Sequence, residues 1–172
     1  MITGEEVKQN AENKEFILEA VKQDGKLLEF ASRQMQDDKE VVLEAINNYA
    51  GSLIFASDRL KDDRDVVFTA VKKEAWTICY ASDKLKADRE IILTGVKQNG
   101  QVLYYASKEL RDDKEVVLEA VRNKGIILKY VSSRLRNDEE VVIEALKQDK
   151  KAFEFATPEI QANEAVLAVK NE

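Results

Sequence analysis

Two recurring groups of side chains carry whatever reactivity this chain has. Hydroxyls return every 25 residues at Ser32, Ser57, Ser82, Ser107, Ser132 and Thr157. Carboxylates cluster at Asp37-Asp38-x-Glu40, Asp62-Asp63-x-Asp65, Asp112-Asp113-x-Glu115 and Asp138-Glu139-Glu140. A serine becomes a nucleophile only beside a base, and the chain has no histidine. With Cys79 as the only cysteine, a disulfide framework, a zinc cluster and Cys–His catalysis are excluded within one chain. None of the acidic clusters has the D-x-D-x-D-G run and distal Glu of a calcium loop. A carboxylate pair could serve as general acid and base, but nothing in the repeats sets one carboxylate apart from the others. The expectation is no enzyme, no cofactor and no metal. The hydroxyls read as helix caps, and the carboxylates as caps and ion pairs along one edge.

The elements that hold these groups come from one unit repeated six times without insertions. It starts at Glu15, Glu40, Asp65, Glu90, Glu115 and Glu140, with the columns EFILEAV, EVVLEAI, DVVFTAV, EIILTGV, EVVLEAV and EVVIEAL. A second refrain follows in each unit: LLEFAS, LIFAS, ICYAS, LYYAS, LKYVS and FEFAT. A fixed period of this length signals a solenoid, in which each unit buries its apolar face only against its neighbours.

Within a unit, Val116, Val117, Ala120 and Val121 form an apolar stripe at helical spacing. Asn13, Asp38, Asp63, Asp88, Asp113, Asp138 and Asn163 stand just before each stripe, where a short side-chain oxygen caps the first turn. Gly25, Gly100 and Gly125 suit the turn that ends the helix. Thr157-Pro158 marks a helix start, so the serines of the same column should cap a short turn ending on Met35, Leu60, Leu85, Leu110 or Leu135. The unit therefore reads as a helix of about ten residues, a break, a second helix of about seven and a capped turn. The fold class is all-α, an α-solenoid of six two-helix repeats with short capping segments. Residues 1–14 form an N-terminal capping segment opened by the capping box Thr3-x-x-Glu6, residues 15–164 the six repeats, and residues 165–172 a partial C-terminal repeat helix.

Apolar residues make up 44% and charged residues 35% of the 172 residues, with 33 acids against 27 bases and a net charge of −6. That balance leaves no surplus of cations to displace counterions from a phosphate backbone, so no nucleic acid is expected. A base-per-repeat RNA code would need stacking and hydrogen-bonding side chains in fixed columns with basic flanks, and the variable columns hold none. No apolar run approaches the ~20 residues of a membrane helix, and the opening MITGEEVKQN is polar. A cytoplasmic protein without membrane contact is the plain expectation.

The refrain D-x-E-V-V-L-x-A-V with A-L-x-Y-A-S-x-x-L resembles the repeat family known as domain of unknown function 4116. Here it is carried by DDKEVVLEAV (112–121), VLYYAS (102–107) and their counterparts over residues 15–164. The resemblance implies an all-helical repeat module; it brings no activity, cofactor or catalytic residue. Repeat 6 departs most, with Lys150 for Gly, Thr157-Pro158 after the Ala, and Asn163 for Asp, as a capping unit would.

In an array, columns that recur hold the scaffold and columns that vary are free to recognise something. One column of the second helix runs Glu29, Ile54, Cys79, Tyr104, Lys129, Glu154, and the column three residues earlier runs Lys26, Gly51, Trp76, Gln101, Ile126, Lys151. Both are charged at the ends and apolar in the middle. On the first helix, Glu19, Glu44, Glu119 and Glu144 give way to Thr69 and Thr94 in repeats 3 and 4. Tyr49, Ile54, Trp76, Cys79, Tyr104 and Ile126 are therefore the candidate partner-binding residues, provided they are exposed and not turned into the core. The expected function is a non-catalytic scaffold binding a partner protein across the central repeats. The alternative is an acidic inhibitor or effector that blocks a nucleic-acid-binding or basic surface of a target, and self-association is compatible with either.

Overall fold

The computed structural model describes residues 1–172 and is all-α, with no strand. The chain divides into two compact units, Met1–Leu85 and Lys86–Glu172. The first holds a short helix, Gly4–Gln9, and repeats 1 to 3. The second holds repeats 4 to 6 and a closing helix, Glu164–Asn171. The capping box at Thr3 is formed, with the Glu6 backbone N–H on the Thr3 hydroxyl and the Glu6 carboxylate on the Thr3 backbone N–H. No helix is long and apolar enough to cross a membrane.

Every repeat opens with a ten-residue α-helix: Lys14–Gln23, Lys39–Asn48, Arg64–Lys73, Arg89–Gln98, Lys114–Asn123 and Glu139–Gln148. The cap column works as its residue types require. Each side chain, from Asn13 to Asn163, accepts a first-turn backbone N–H. The stripe behind the cap is buried: Val41, Val42, Ala45 and Ile46, and Val116, Val117, Ala120 and Val121, have no solvent exposure. Each fully buried branched side chain contributes about 1.5–3 kcal/mol.

The second element is not the α-helix of about seven residues that the apolar run suggests. It is a six-residue 3-10 helix in every repeat: Gly25–Phe30, Ala50–Phe55, Ala75–Tyr80, Gly100–Tyr105, Gly125–Tyr130 and Lys150–Phe155. The reason lies in the spacing of what is buried. Gly25, Leu28 and Ala31 face the core, as do Ala50, Leu53, Ala56 and Gly125, Leu128, Val131. Positions three apart stack in one straight row when the helix has three residues per turn, whereas in an α-helix they drift by about 60° at each step. The same geometry puts the two variable columns on one row: residues 26 and 29, 51 and 54, 76 and 79, 101 and 104, 126 and 129.

The glycines stand where the helix ends, but not for conformational freedom, since no residue has a positive φ. They are sites of close approach. A Cβ on Gly25, Gly100 or Gly125 would collide with the carbonyl oxygen of Ala45, Ala120 or Ala145 in the following repeat. Close approach also lets the glycine N–H reach across. Gly25 donates to Asn48 Oδ1 at 2.8 Å and Gly100 to Asn123 Oδ1 at 2.7 Å, with Gly125 bonded to Gln148 in the same way.

A short capped turn completes each repeat, ending on buried Met35, Leu60, Leu85, Leu110, Leu135 or Ile160. The serine caps are formed as expected: the backbone N–H of Met35, Leu60, Leu85, Leu110 and Leu135 donates to the preceding Ser hydroxyl. Their backbones form an inter-repeat ladder as well. The N–H of Ser57 donates to Gln36 O at 2.9 Å, that of Ser82 to Lys61 O at 3.0 Å, and that of Ser132 to Arg111 O at 3.1 Å.

Candidate interaction surface

The polar columns are largely consumed by holding repeats together. The first Asp of each pair accepts from a hydroxyl in the next repeat: Ser57 donates to Asp37, Ser82 to Asp62 and Ser132 to Asp112. A cation two residues beyond that serine joins it, with Arg59 Nε 3.0 Å from Asp37 and Arg134 Nε 3.0 Å from Asp112. The serine hydroxyl hydrogen bonds and these cations hold Asp37, Asp62 and Asp112 below the ordinary carboxylate range.

The second Asp looks the other way along the chain. Asp38 meets Lys14 at 2.8 Å, Asp63 meets Lys39 at 2.9 Å, Asp113 meets Arg89 at 2.8 Å and Asp138 meets Lys114 at 2.9 Å. Partial burial pushes the Asp63 carboxyl up, but the Lys39 ammonium and the Val66 and Asp65 backbone N–H groups outweigh it, so its pKa is lowered. The acidic edge is thus a set of two-sided staples between repeats. The hydroxyls of Ser57, Ser82 and Ser132 both accept and donate within them.

What is left exposed lies on the 3-10 helices, mostly on their outward row. Apart from Met1, the exposed large apolar side chains are Ile54 at 42%, Trp76 at 38%, Tyr104 at 52% and Tyr105 at 37%. Tyr49, Cys79 and Ile126 are half-buried. In the first unit, the Trp76 ring meets Tyr80 edge-to-face with centroids 5.7 Å apart, and its indole N–H donates to the Glu74 carboxylate. The Tyr49 ring lies where a side chain on Gly51 would be, with Lys26 Nζ 5.1 Å from its centroid. Repeat 2 therefore has an aromatic ring on the outward row although its own column residue is glycine.

In the second unit, Tyr104 sits between two further tyrosines, edge-to-face with Tyr105 at 5.0 Å and with Tyr130 at 4.9 Å. Lys129 Nζ stands 4.8 Å from the Tyr130 centroid. Tyr105 and Tyr130 were outside the sequence-based candidates because their column (Phe30, Phe55, Tyr80, Tyr105, Tyr130, Phe155) is aromatic throughout and looks like core. The change from Phe to Tyr in repeats 3 to 5 is the signal that distinguishes them. Thr69, in the column that loses its Glu, turns its hydroxyl back onto Asp65 O at 2.7 Å and presents a small side chain.

Neither a curated protein nor a solved structure matches the chain. The sequence pattern described as domain of unknown function (DUF4116) matches at residues 13–61, 38–86, 63–111 and 113–161. Each match runs from one cap residue to the end of the second capped turn, so it spans two of the repeats described above. Successive staples link repeats in pairs, which gives a two-repeat match a structural meaning. The matches cover nearly the whole chain from its first cap to its last turn, and the protein belongs to the DUF4116 family.

Proposed function

We propose that this chain is a non-catalytic scaffold that binds a partner protein through the outward row of its 3-10 helices. In the first unit the contact residues are Tyr49, Ile54, Trp76 and Cys79; in the second they are Tyr104 and Ile126, joined by Tyr105 and Tyr130. The observation that carries the reading is where the exposed apolar side chains fall. Ile54, Trp76 and Tyr104 lie on these helices in columns that hold Lys or Glu in repeats 1 and 6, and Tyr105 is exposed next to Tyr104. Trp and Tyr offer large contact area for little lost conformational freedom, which favours them at binding hot spots. The acidic-surface alternative gains no comparable support, because the carboxylates it needs are already paired with Lys, Arg and Ser.

The repeats supply their own surface-neutral substitutions. Ile54→Glu, Trp76→Gln and Tyr104→Lys each install a residue that another repeat carries in that column. Affinity capture from source lysate with the wild type and the triple variant tests the proposal, with circular dichroism confirming that both are folded. A partner held by the wild type and lost by the folded variant is the expected result. Retention at full strength by the folded variant would overturn it.

A further inference from the structure

One recess in the second unit departs from the rule that polar columns serve the scaffold. It has a volume of about 270 Å³ and is lined by Lys108, Arg111, Tyr130 and Ser132. Lys108 and Arg111 come from the capped turn of repeat 4, and Tyr130 and Ser132 from the end of the 3-10 helix of repeat 5 and the cap that follows it. The other repeats serve as internal controls. The Lys108 column reads Arg33, Asp58, Asp83, Lys108, Ser133, Pro158, and the Arg111 column reads Gln36, Lys61, Lys86, Arg111, Arg136, Gln161. Only repeat 4 combines two cations in these columns with a tyrosine in the next repeat.

The scaffold's demand on the Arg111 column is modest. Gln36 and Gln161 meet it by donating one amide to carbonyls of their own 3-10 helices. Arg111 meets it with Nε alone, which donates to Ala106 O at 2.9 Å. Its two terminal nitrogens are surplus to that bond. Neither Arg111 nor Lys108 makes an ion pair of the kind that engages Arg89, Arg122 or Arg134. The nearby carboxylates have other hydrogen-bond partners: Asp112 has Ser132 and Arg134, and Glu109 has its own backbone N–H and the Ser107 hydroxyl, with the Lys108 charge a smaller influence on it. Lys129, over the Tyr130 ring, adds a third positive charge beside the recess. Arg111 is half-buried, so its charge is less screened than one in open water.

We propose that this recess binds a phosphate monoester carried on a protein side chain. Two cations outside the ion pairs that staple the repeats, one of them an arginine fork, match a dianion better than the single charge of a carboxylate, and Tyr130 completes the lining. A nucleic-acid backbone fits less well. The chain carries 33 acids against 27 bases, so a longer polyanion reaching beyond the recess meets no surplus of cations. Tyr104 and Tyr130, already edge-to-face, offer ring surface to residues flanking the phosphorylated one. The inference rests on the charges of one recess and stands whether or not the outward row binds a partner.

The test is an NMR titration of the ¹⁵N-labelled full chain with phenyl phosphate, inorganic phosphate, phenol, a peptide bearing one phosphotyrosine, and a short single-stranded oligonucleotide. The expected result is saturable shifts of the 108–111 and 130–132 amides with the phosphopeptide, phenyl phosphate and phosphate, tightest with the phosphopeptide and absent with phenol. The double variant Lys108→Ser/Arg111→Gln takes its residues from repeats 5 and 6, and it should bind at least about tenfold more weakly with an unchanged circular dichroism spectrum. Equal binding by the double variant, or no saturable shift at these amides at millimolar ligand, would overturn the proposal. So would tighter binding of the oligonucleotide than of the phosphopeptide through the same amides.

Discussion

Asp63 has two roles that different substitutions separate. Its Oδ1 accepts from the backbone N–H of Asp65 at 3.0 Å and of Val66 at 3.1 Å, capping the helix Arg64–Lys73. Both oxygens also receive Lys39 from the previous repeat, at 2.9 Å. Asp63→Ala removes both roles. Loss of an N-cap costs about 1 kcal/mol, within a range of roughly 0.5–2. Asp63→Asn keeps a short acceptor oxygen at the cap and removes only the charge. Lys39 then still has Asp65 at 3.1 Å, and Asn caps about as well as Asp. The Asn variant should therefore lose only a small part of what the Ala variant loses. The array uses this solution itself at Asn13 and Asn163, where the side chain caps its helix without a carboxylate.

Urea unfolding and thermal melts of the three proteins read the difference. A loss of about 1 kcal/mol corresponds to a fall in Tm of roughly 2–4 °C for a chain of this size. The Ala penalty should survive in 1 M salt, because a hydrogen-bonded cap is not an exposed ion pair, while the smaller Asn penalty should shrink. If Asn costs as much as Ala and both losses vanish in salt, the column is held by charge and the capping argument is wrong.

Ser52 is fully buried and its hydroxyl has no hydrogen-bond partner, whereas buried Thr77, one repeat later in the same column, donates to Glu74 O at 2.7 Å. Ser52→Ala should leave stability unchanged or raise it by about 1 kcal/mol, while Thr77→Val should lose about 1 kcal/mol; chemical denaturation that finds both equally harmful would refute this contrast. The pH profile follows from the staples. Asp38, Asp63, Asp113 and Asp138 are lowered from 3.8 in the folded chain, so their contribution is complete above that value and is lost as pH falls through the folded pKa. Lys14, Lys39 and Lys114 are raised from 10.5 by their carboxylate partners, so their contribution is complete below that value and is lost as pH rises through the folded pKa. With no histidine to titrate between, denaturation midpoints should be level from about pH 5 to 9 and fall outside that window, and a step near neutrality would contradict the assignment.

The parts of this fold that were legible in the sequence are those whose cause is local. An Asp before an apolar stripe caps because its oxygen reaches its own first turn, so Asp113 and Val116 could be paired from spacing alone. The serine caps follow the same logic. The 3-10 helix was missed because a six-residue apolar run carries too few turns to separate a period of 3.6 from one of 3, although Gly25, Leu28 and Ala31 held the answer. The glycine role was missed because its cause is a carbonyl in the following repeat, Ala145 O for Gly125, and no local rule points there. The same holds for the second half of each serine's bonding. Ser57 to Asp37 is a contact between two columns that each have a sufficient local explanation. Of the surface candidates, Ile54, Trp76 and Tyr104 are exposed, while Ile126 is half-buried beside the buried Ile127.

A three-residue period gives each 3-10 helix three distinct rows, and the rows differ in how much they are constrained. Gly125, Leu128 and Val131 are buried, so changes there create cavities or collisions. The row of Ile127 and Tyr130 is held partly, by the core on one side and by ring contacts such as Tyr104–Tyr130 on the other. The row of residues 126 and 129 takes no part in the staples, because these run through Asp, Ser, Lys, Arg, Gly and Asn columns outside it. Lys and Glu can therefore be exchanged for Trp, Ile or Tyr on this row without breaking one of the staples between repeats. That independence explains how one unit can be repeated six times with little change in its scaffold while its outward face changes from charged to aromatic and back. It also makes residues from sibling repeats the most discriminating substitutions, since each has already been accommodated by the same backbone.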